Sequence, residues 1–341
     1  MNNILIVRTD RLGDVLLTTP VSTALRRMFP DARISWLVRP YTAPLLEHNP
    51  DIDRILVDRG ESPAQLADRI RSERFDAAIV AYPRWRIVWA LWLARVPLRI
   101  GPANKFYAIL LNRRVRQRRS KGAKHEADYN LELLAPLAPP GASFERYPTR
   151  YVATDEERRA ARSILGTKGI SGAKPVVILH PGSGGSSARW PLGHFTALGD
   201  RLLAAGCDLV VTGGPGEDHE GAMAGMMRRS PVFVGAGSVN IRELAAILSW
   251  ADLVVTNSTG PLHLAVALGV PTVSIYSPVP TRHPARWGPY PAHVEGNELH
   301  RVLLAPHGGE GGKASEDMGA VSVEEVWRLC QAKLAGRTPR R

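Results

Sequence analysis

DLVVTNSTGPLHLAVALGVPTVSIYSP, residues 252–278, spells a strand, a turn, a helix and a second strand in one run. Leu253, Val254 and Val255 form a short apolar run between polar residues, the pattern of a buried strand. Thr256, Asn257, Ser258, Thr259 and Gly260 follow, and Pro261 suits the first turn of a helix that carries Leu262, Leu264, Ala265 and Leu268. Gly269 ends that helix, Pro271 blocks its return, and residues 272–276 predict the next parallel strand. Small residues at a helix start, just past a buried strand, leave backbone N–H groups free at a ligand crevice. Such a place suits phosphate.

The same alternation runs outward in both directions. Residues 4–7, 34–38, 55–57 and 77–81 predict strands, with helices over 14–27 and 62–71. After the proline-rich stretch PLAPPGASFERYP, residues 136–148, a second series begins. Its helix opens on a capping box, Thr154 with Glu157, and is followed by strands over 176–179 and 208–212 and helices over 192–205 and 241–248. Strands alternating with helices imply parallel sheets covered on both faces. The expected fold class is therefore α/β, in two halves: a domain over 1–150, a domain over 151–320, and a closing helix, 321–335, opened by Ser322 and Glu325 and packing back on the first domain. HGGEGGKASEDMG, residues 307–319, is expected to be a mobile loop, and the Arg-rich tail disordered.

The chain has 341 residues, room for two ordinary domains, with 44% hydrophobic and 22% charged residues, as in soluble globular proteins. Two cysteines, Cys207 and Cys330, exclude a disulfide framework and favour a reducing compartment. Met1 runs straight into a strand without the features of a secretory signal, and no apolar run is long enough to cross a bilayer. The net charge of +12 is concentrated: residues 77–125 contain twelve Lys or Arg and no Asp or Glu. Tyr82, Trp85, Trp89, Trp92, Phe106 and Tyr107 are interleaved with them. That surface suits anionic lipid headgroups or a phosphorylated glycolipid, against the plainer reading of a solvated loop with buried Trp. Nucleic acid also suits positive charge, but no known nucleic-acid module is visible.

Two crevices are expected at strand carboxyl ends. The first holds Arg8, Thr9, Asp10, Arg11, Leu12, Gly13 and Asp14. Asp14 suits either a helix cap, taking backbone N–H bonds, or a general base within reach of a hydroxyl, and Asp10 suits a turn. The second collects HPGSGGSSARWP (180–191), TGGPGE (212–217), GAGS (235–238) and the opening stretch. Glycine allows backbone to approach a ligand closely, and exposed N–H groups bind phosphate oxygens, although αβ turns use glycine anyway. Neither a Gly-x-Gly-x-x-Gly nor a Walker Gly-Lys-Ser/Thr pattern occurs, which argues against a nicotinamide dehydrogenase and an ATPase. His263 and His180 fit either a ligand contact or a buried structural role, and the remaining histidines form no metal-ligand pattern. Asp51 and Asp53 lie in NPDIDRIL, a turn into a strand, and read as structural.

Together, ILIVRTDRLGDVLLTTPVSTALRRMFPDARISWLV, HNPDIDRIL, KHEADYNL, HPGSGGSSARWP, TGGPGE, TNSTGPLHLAVALGVPTVSIY and SVEEV resemble the family 9 glycosyltransferases, typified by the lipopolysaccharide heptosyltransferases. The resemblance implies the GT-B fold, two Rossmann-like domains with parallel sheets facing across a cleft. It implies an inverting, metal-independent transferase without a cofactor, using a nucleotide-sugar donor such as ADP-heptose. Asp14 matches the family's catalytic base. Ser183 and Gly184 match residues near the diphosphate, and Gly213 and Gly214 belong to the same donor crevice. Glu217 matches a ribose contact, and Thr259, Gly260 and His263 match the donor-binding turn. Two positions depart: Ala188 stands where the heptosyltransferases carry Lys, with Arg189 beside it, and Ser258 stands where they carry Asp. The donor sugar and its nucleotide base therefore stay open. The implied acceptor is a lipopolysaccharide-core or other anionic glycolipid, met by Arg11, Arg84, Arg86, Arg113, Arg114 and Lys124. A cytoplasmic monomer, peripheral at the inner face of the membrane, is expected. A nucleotide-sugar epimerase or hydrolase and a catalytically silent binding protein are the rival readings.

Overall fold

In the computed structural model the described residues form twelve strands, ordered into two six-stranded parallel sheets. The structure describes residues 1–119, 122–139, 141–185, 187–214, 217, 219–234, 239–290, 298–306 and 317–336. GAGS, most of the 307–319 segment, the tail beyond 336, Ser186, Pro215 and Gly216 lie outside the described residues. The chain separates into compact units Met1–Val152 and Ala153–Arg341.

In the first unit the elements are β1 (Asn3–Val7), α1 (Leu12–Leu16), α2 (Thr19–Met28), β2 (Arg33–Val38), β3 (Arg54–Val57), α3 (Pro63–Glu73), β4 (Ala77–Val80), α4 (Trp85–Leu93), β5 (Leu98–Pro102), β6 (Arg113–Val115) and α5 (Glu126–Glu132). The strand order is β3-β2-β1-β4-β5-β6, the order of a doubly wound sheet. Ile4, Leu5, Ile6 and Val7 are all buried, because helices cover both faces of the central strand. The sequence predicts a single helix over 14–27, but the structure breaks it at Leu17 and Thr18. Pro20 has no N–H for the Leu16 carbonyl, which accepts from Thr19 Oγ1 at 2.7 Å instead, so the helix restarts there. Helix α4, WRIVWALWL, was not expected as an element, since it lacks the polar stripe that marks an amphipathic helix.

The second unit contains α6 (Asp155–Thr167), β7 (Val176–His180), α7 (Leu192–Ala204), β8 (Asp208–Thr212), α8 (His219–Met226), β9 (Val232–Val234), α9 (Ile241–Leu248), β10 (Leu253–Asn257), α10 (Gly260–Ala267), β11 (Thr272–Tyr276), α11 (Pro284–Trp287), β12 (His300–Leu304) and α12 (Val323–Ala335). Its sheet, β12-β11-β10-β7-β8-β9, repeats the winding of the first. Capping boxes at Thr154–Glu157, Asn240–Glu243 and Ser322–Glu325 satisfy the orphan N–H groups of three helix starts. Gly269, at φ +70°, ends the turn after α10 in the left-handed region where a side chain would be strained. The buried face of α12, Val326 and Cys330, joins the core of the second unit with Phe195, Leu198 and Trp190, and the Trp190 indole N–H donates to the Val321 carbonyl at 2.8 Å.

Candidate functional site

Strands β1 and β4 are hydrogen-bonded neighbours, yet the chain leaves them toward opposite edges of the sheet. The loops that follow them therefore splay apart and open a crevice at their carboxyl ends. Into it come the residues after β1, with Tyr82 and Arg84 after β4. Arg8 is 1% exposed and organises this crevice. Its guanidinium donates to Asp10 Oδ1 at 2.7 Å, to Asp14 Oδ1, to Glu126 Oε1 at 3.3 Å and to Asn130 Oδ1 at 3.2 Å. Burial works against the positive charge, but the three carboxylates outweigh it and raise the Arg8 pKa above its ordinary value. Burial pushes the Asp10 carboxyl up to about 6, against the pull of Arg8 and with the push of Asp14.

Asp14 is not a helix cap. Arg11 occupies the cap position of α1, and Asp14 lies inside the first turn with its carboxylate on Arg8. The Asp14 side chain is 16% exposed, so solvent or a substrate hydroxyl reaches it. Its backbone carbonyl accepts from Thr18 Oγ1 at 2.8 Å, and Thr18 Oγ1 in turn accepts from Asn130 Nδ2 at 3.0 Å. The KHEADYN motif is thereby explained. His125 caps α5 with Nδ1, and Glu126 lies between Arg8 and Arg119, the latter at 2.5 Å. Asn130 ties the α5 helix to Leu17 and Thr18. Sequence reading places Arg8 in this crevice but not Glu126 and Asn130; more than a hundred residues separate these two from Arg8, and no local pattern joins them to it.

Arg11 and Arg84 are exposed, and Arg84 lies 5.4 Å from the centre of the Tyr82 ring. Arg113 and Arg114 are exposed on the edge strand β6. Arg86 instead turns inward, to Asp58 at 2.6 Å and to the Glu61 carbonyl at 2.8 Å, and Lys124 pairs with Glu132. Asp51 and Asp53 hold the turn before β3, through Thr23 Oγ1 at 2.6 Å and the Ile34 N–H at 2.6 Å.

The second unit has the same topology at β7 and β10, with His180 beside Thr256. Asn257 locks the two following loops together: its Oδ1 accepts from the Trp190 N–H at 2.9 Å, and its Nδ2 donates to the Pro181 carbonyl at 2.6 Å. Glu217 clasps the loops after β7 and β8, accepting from the Gly184 N–H and the Gly214 N–H, each at 2.7 Å. Burial pushes the Glu217 carboxyl up, but these amides, His180 and the Ser183 N–H bring it below its ordinary value. A Cβ at Gly182 would lie 2.0 Å from Glu217 Oε2, so only glycine fits beneath the carboxylate. His180 is held by Thr212 Oγ1 at 2.9 Å, and burial lowers its pKa to about 4, only partly offset by Glu217, so the ring is neutral at pH 7.

Thr259 precedes α10 with extended backbone, and its Oγ1 is buried without a hydrogen-bond partner among the described residues. Gly260 begins the helix, and His263 is buried one turn in. The Ser258 hydroxyl lies near the buried Tyr276 phenol, which donates to the Trp287 carbonyl at 2.6 Å. Gly213 follows β8 beside Gly214, Ala188 packs against the core, and Arg189 is exposed. The second unit thus brings Ser183, Gly184, Gly214 and Glu217 into direct contact, with Ser258, Thr259, Gly260 and His263 following the adjacent central strand.

The profile of glycosyltransferase family 9 (heptosyltransferase) matches residues 64–304. A Haemophilus influenzae protein provisionally named a glycosyltransferase is 31% identical over 327 residues, covering 91% of each chain. Lipopolysaccharide heptosyltransferase 3 of Escherichia coli is 26% identical over 279 residues, 77% of this chain and 80% of that one. The crystal structure of a family 9 glycosyl transferase from Veillonella parvula superposes with a TM-score of 0.83 at 24% identity, covering 98% of both chains, and bears out the GT-B fold class of two Rossmann-like units.

Proposed function

The chain belongs to glycosyltransferase family 9, and we propose that it moves a heptose or related sugar, with inversion and without a metal, from a nucleotide-sugar donor to a lipopolysaccharide-core or other anionic glycolipid. The observation that carries this reading is Asp14: a partly exposed carboxylate with Oδ1 fixed on buried Arg8. That grip orients the group and leaves Oδ2 to accept a proton. In the proposed reaction Asp14 takes the proton of the acceptor hydroxyl. The oxygen attacks the anomeric carbon on the face opposite the diphosphate. A new carbon–oxygen bond forms as the bond to the diphosphate oxygen breaks, and the nucleoside diphosphate leaves with the electron pair.

The second unit supplies the donor site in this reading. The N–H groups at the start of α10, with the unsatisfied Thr259 hydroxyl, Gly260 and His263, receive the diphosphate charge as it develops. Arg189 stands in for the cation missing at Ala188, Ser258 meets a sugar hydroxyl, and Ser183, Gly184, Gly213, Gly214 and Glu217 shape the nucleoside end. Arg11, Arg84, Arg113 and Arg114 meet the acceptor's anionic groups, while Arg86 and Lys124, already paired, shape that surface. The enzyme works as a cytoplasmic monomer at the inner face of the membrane.

Thermal-shift titration with ADP-, GDP-, UDP- and dTDP-sugars, followed by NMR of the product's anomeric configuration, tests the reading. One nucleotide sugar raises the melting temperature by mass action, and its sugar is transferred with inverted configuration. Stabilisation by none of them, or retention of configuration, overturns it.

A further inference from the structure

The segment that carries the positive charge also carries apolar side chains that the fold leaves uncovered. Residues 106–110 form a 3₁₀ turn, in which positions three apart share a face. Phe106 and Ile109 share the outer face, 86% and 76% exposed, while Ala108 and Leu111 are buried beneath. Helix α4 packs against this turn, and the Tyr107 hydroxyl donates to the Pro83 carbonyl at 2.9 Å. Along α4, Trp85, Trp89 and Trp92 fall at helical spacings of four and three and make one stripe. Trp85 and Trp92 are 49% and 48% exposed, and the Trp85 and Trp89 rings lie 4.3 Å apart. Phe106, Ile109, Trp85 and Trp92 lie outside the core of the unit, to which α4 contributes Ile87, Val88, Ala90 and Leu91.

Arg84, Arg95, Lys105, Arg113, Arg114 and Arg116 make no ion pair among the described residues. Exposed aromatic and aliphatic side chains in a segment whose own charges are all positive match the boundary of an anionic bilayer, where rings enter the headgroup layer and cations meet phosphate. A protein partner would need acidic groups matched to each cation, whereas a bilayer offers mobile anions under an apolar layer.

We propose that Phe106 and Ile109, with Trp85 and Trp92, form a wedge that inserts into the headgroup boundary of an anionic lipid bilayer. The inference deepens the membrane placement proposed above and rests on it. The cations draw the unit to the surface, and the wedge fixes its depth there.

Vesicle co-sedimentation of the full chain tests this, with phosphatidylglycerol and phosphatidylethanolamine in equal parts and phosphatidylcholine alone as control. Wild type binds the anionic vesicles, and Trp emission is quenched by lipids brominated near the glycerol end of the chains. The double variant Phe106→Ser/Ile109→Ser binds them about 10- to 100-fold more weakly, a loss expected for two apolar side chains partly withdrawn from water. Its circular dichroism and its rate on a lipid-free acceptor stay those of wild type. Equal binding by the variant overturns the wedge and leaves the electrostatic membrane placement standing. Absence of wild-type binding to anionic vesicles overturns both, while transfer to the lipid-free acceptor still reports on the transferase reading. Self-association of wild type that the double variant abolishes, without vesicle binding, assigns the patch to a second copy of the chain and also overturns the wedge.

Discussion

Arg8 does two jobs with one guanidinium: it satisfies the buried Glu126 and Asn130, and it holds the Asp14 carboxylate by a single oxygen. Removing the Glu126 charge leaves buried Arg8 and Arg119 with one compensating carboxylate fewer. Breaking a buried pair in this way costs about 3–5 kcal/mol. Glu126→Ala is expected to lower unfolding free energy in urea by that order and to slow transfer, because Arg8 is free to turn away from Asp14. Glu126→Gln, which keeps the hydrogen bond, is expected to recover more of the rate than of the stability. His180 gives a pH prediction. Its folded pKa of about 4 lies below the ordinary value of 6.5, so between these values the unfolded chain binds more protons. Its contribution to stability is full above 6.5 and is lost as pH falls toward 4. Asp10, raised from 3.8 to about 6, acts in the opposite sense: its contribution is full below 3.8 and is lost as pH rises through 6. Urea melts across this range should show a shallower acid loss in His180→Gln than in wild type. An unchanged slope would assign the acid sensitivity elsewhere.

At the scale of elements, Glu217 is the pin between two loops, and Gly182 is the gap that admits it. Gly182→Ala pushes a methyl into the carboxylate and frees the amides of Gly184 and Gly214. Nucleotide-sugar affinity is expected to fall by about tenfold or more, a loss of roughly 1.4 kcal/mol, read by calorimetry. The final helix has a simpler test. Cys330 is buried against the second unit, and burial, with Cys207 nearby, pushes its thiol up to about 12. Neither Cys207 nor Cys330 should alkylate until the unit unfolds. The inner strands of both sheets were legible in the sequence because apolar runs such as Ile4, Leu5, Ile6 and Val7 have no alternative to burial, whereas β5, β6, β9 and β12, short or interrupted by Arg, Gly and Pro, were not. The turn from Ser258 to Gly260 was legible for the same reason, being framed by two such runs. Helix α4 was not, because Trp85, Trp89 and Trp92 put apolar side chains on the face that is usually polar. Nor was the Arg8–Glu126 pair, whose logic exists only after α5 folds onto the loop behind β1.

At the scale of the whole molecule, the surplus of +12 sits within one window of the first unit, so association with an anionic surface should depend on salt. Screening lengths shrink from about 10 Å at 0.1 M to about 3 Å at 1 M ionic strength, so transfer to a membrane-embedded acceptor should slow over that range. Transfer to a lipid-free acceptor carrying few charges should slow much less. The chemistry itself stands on one carboxylate, and single-turnover transfer by Asp14→Ala, with donor affinity measured in parallel, tests it most directly. Donor affinity close to wild type with transfer reduced by about 10²- to 10⁴-fold or abolished is the predicted result. Transfer at the wild-type rate in that variant would contradict the assignment of Asp14 as the base.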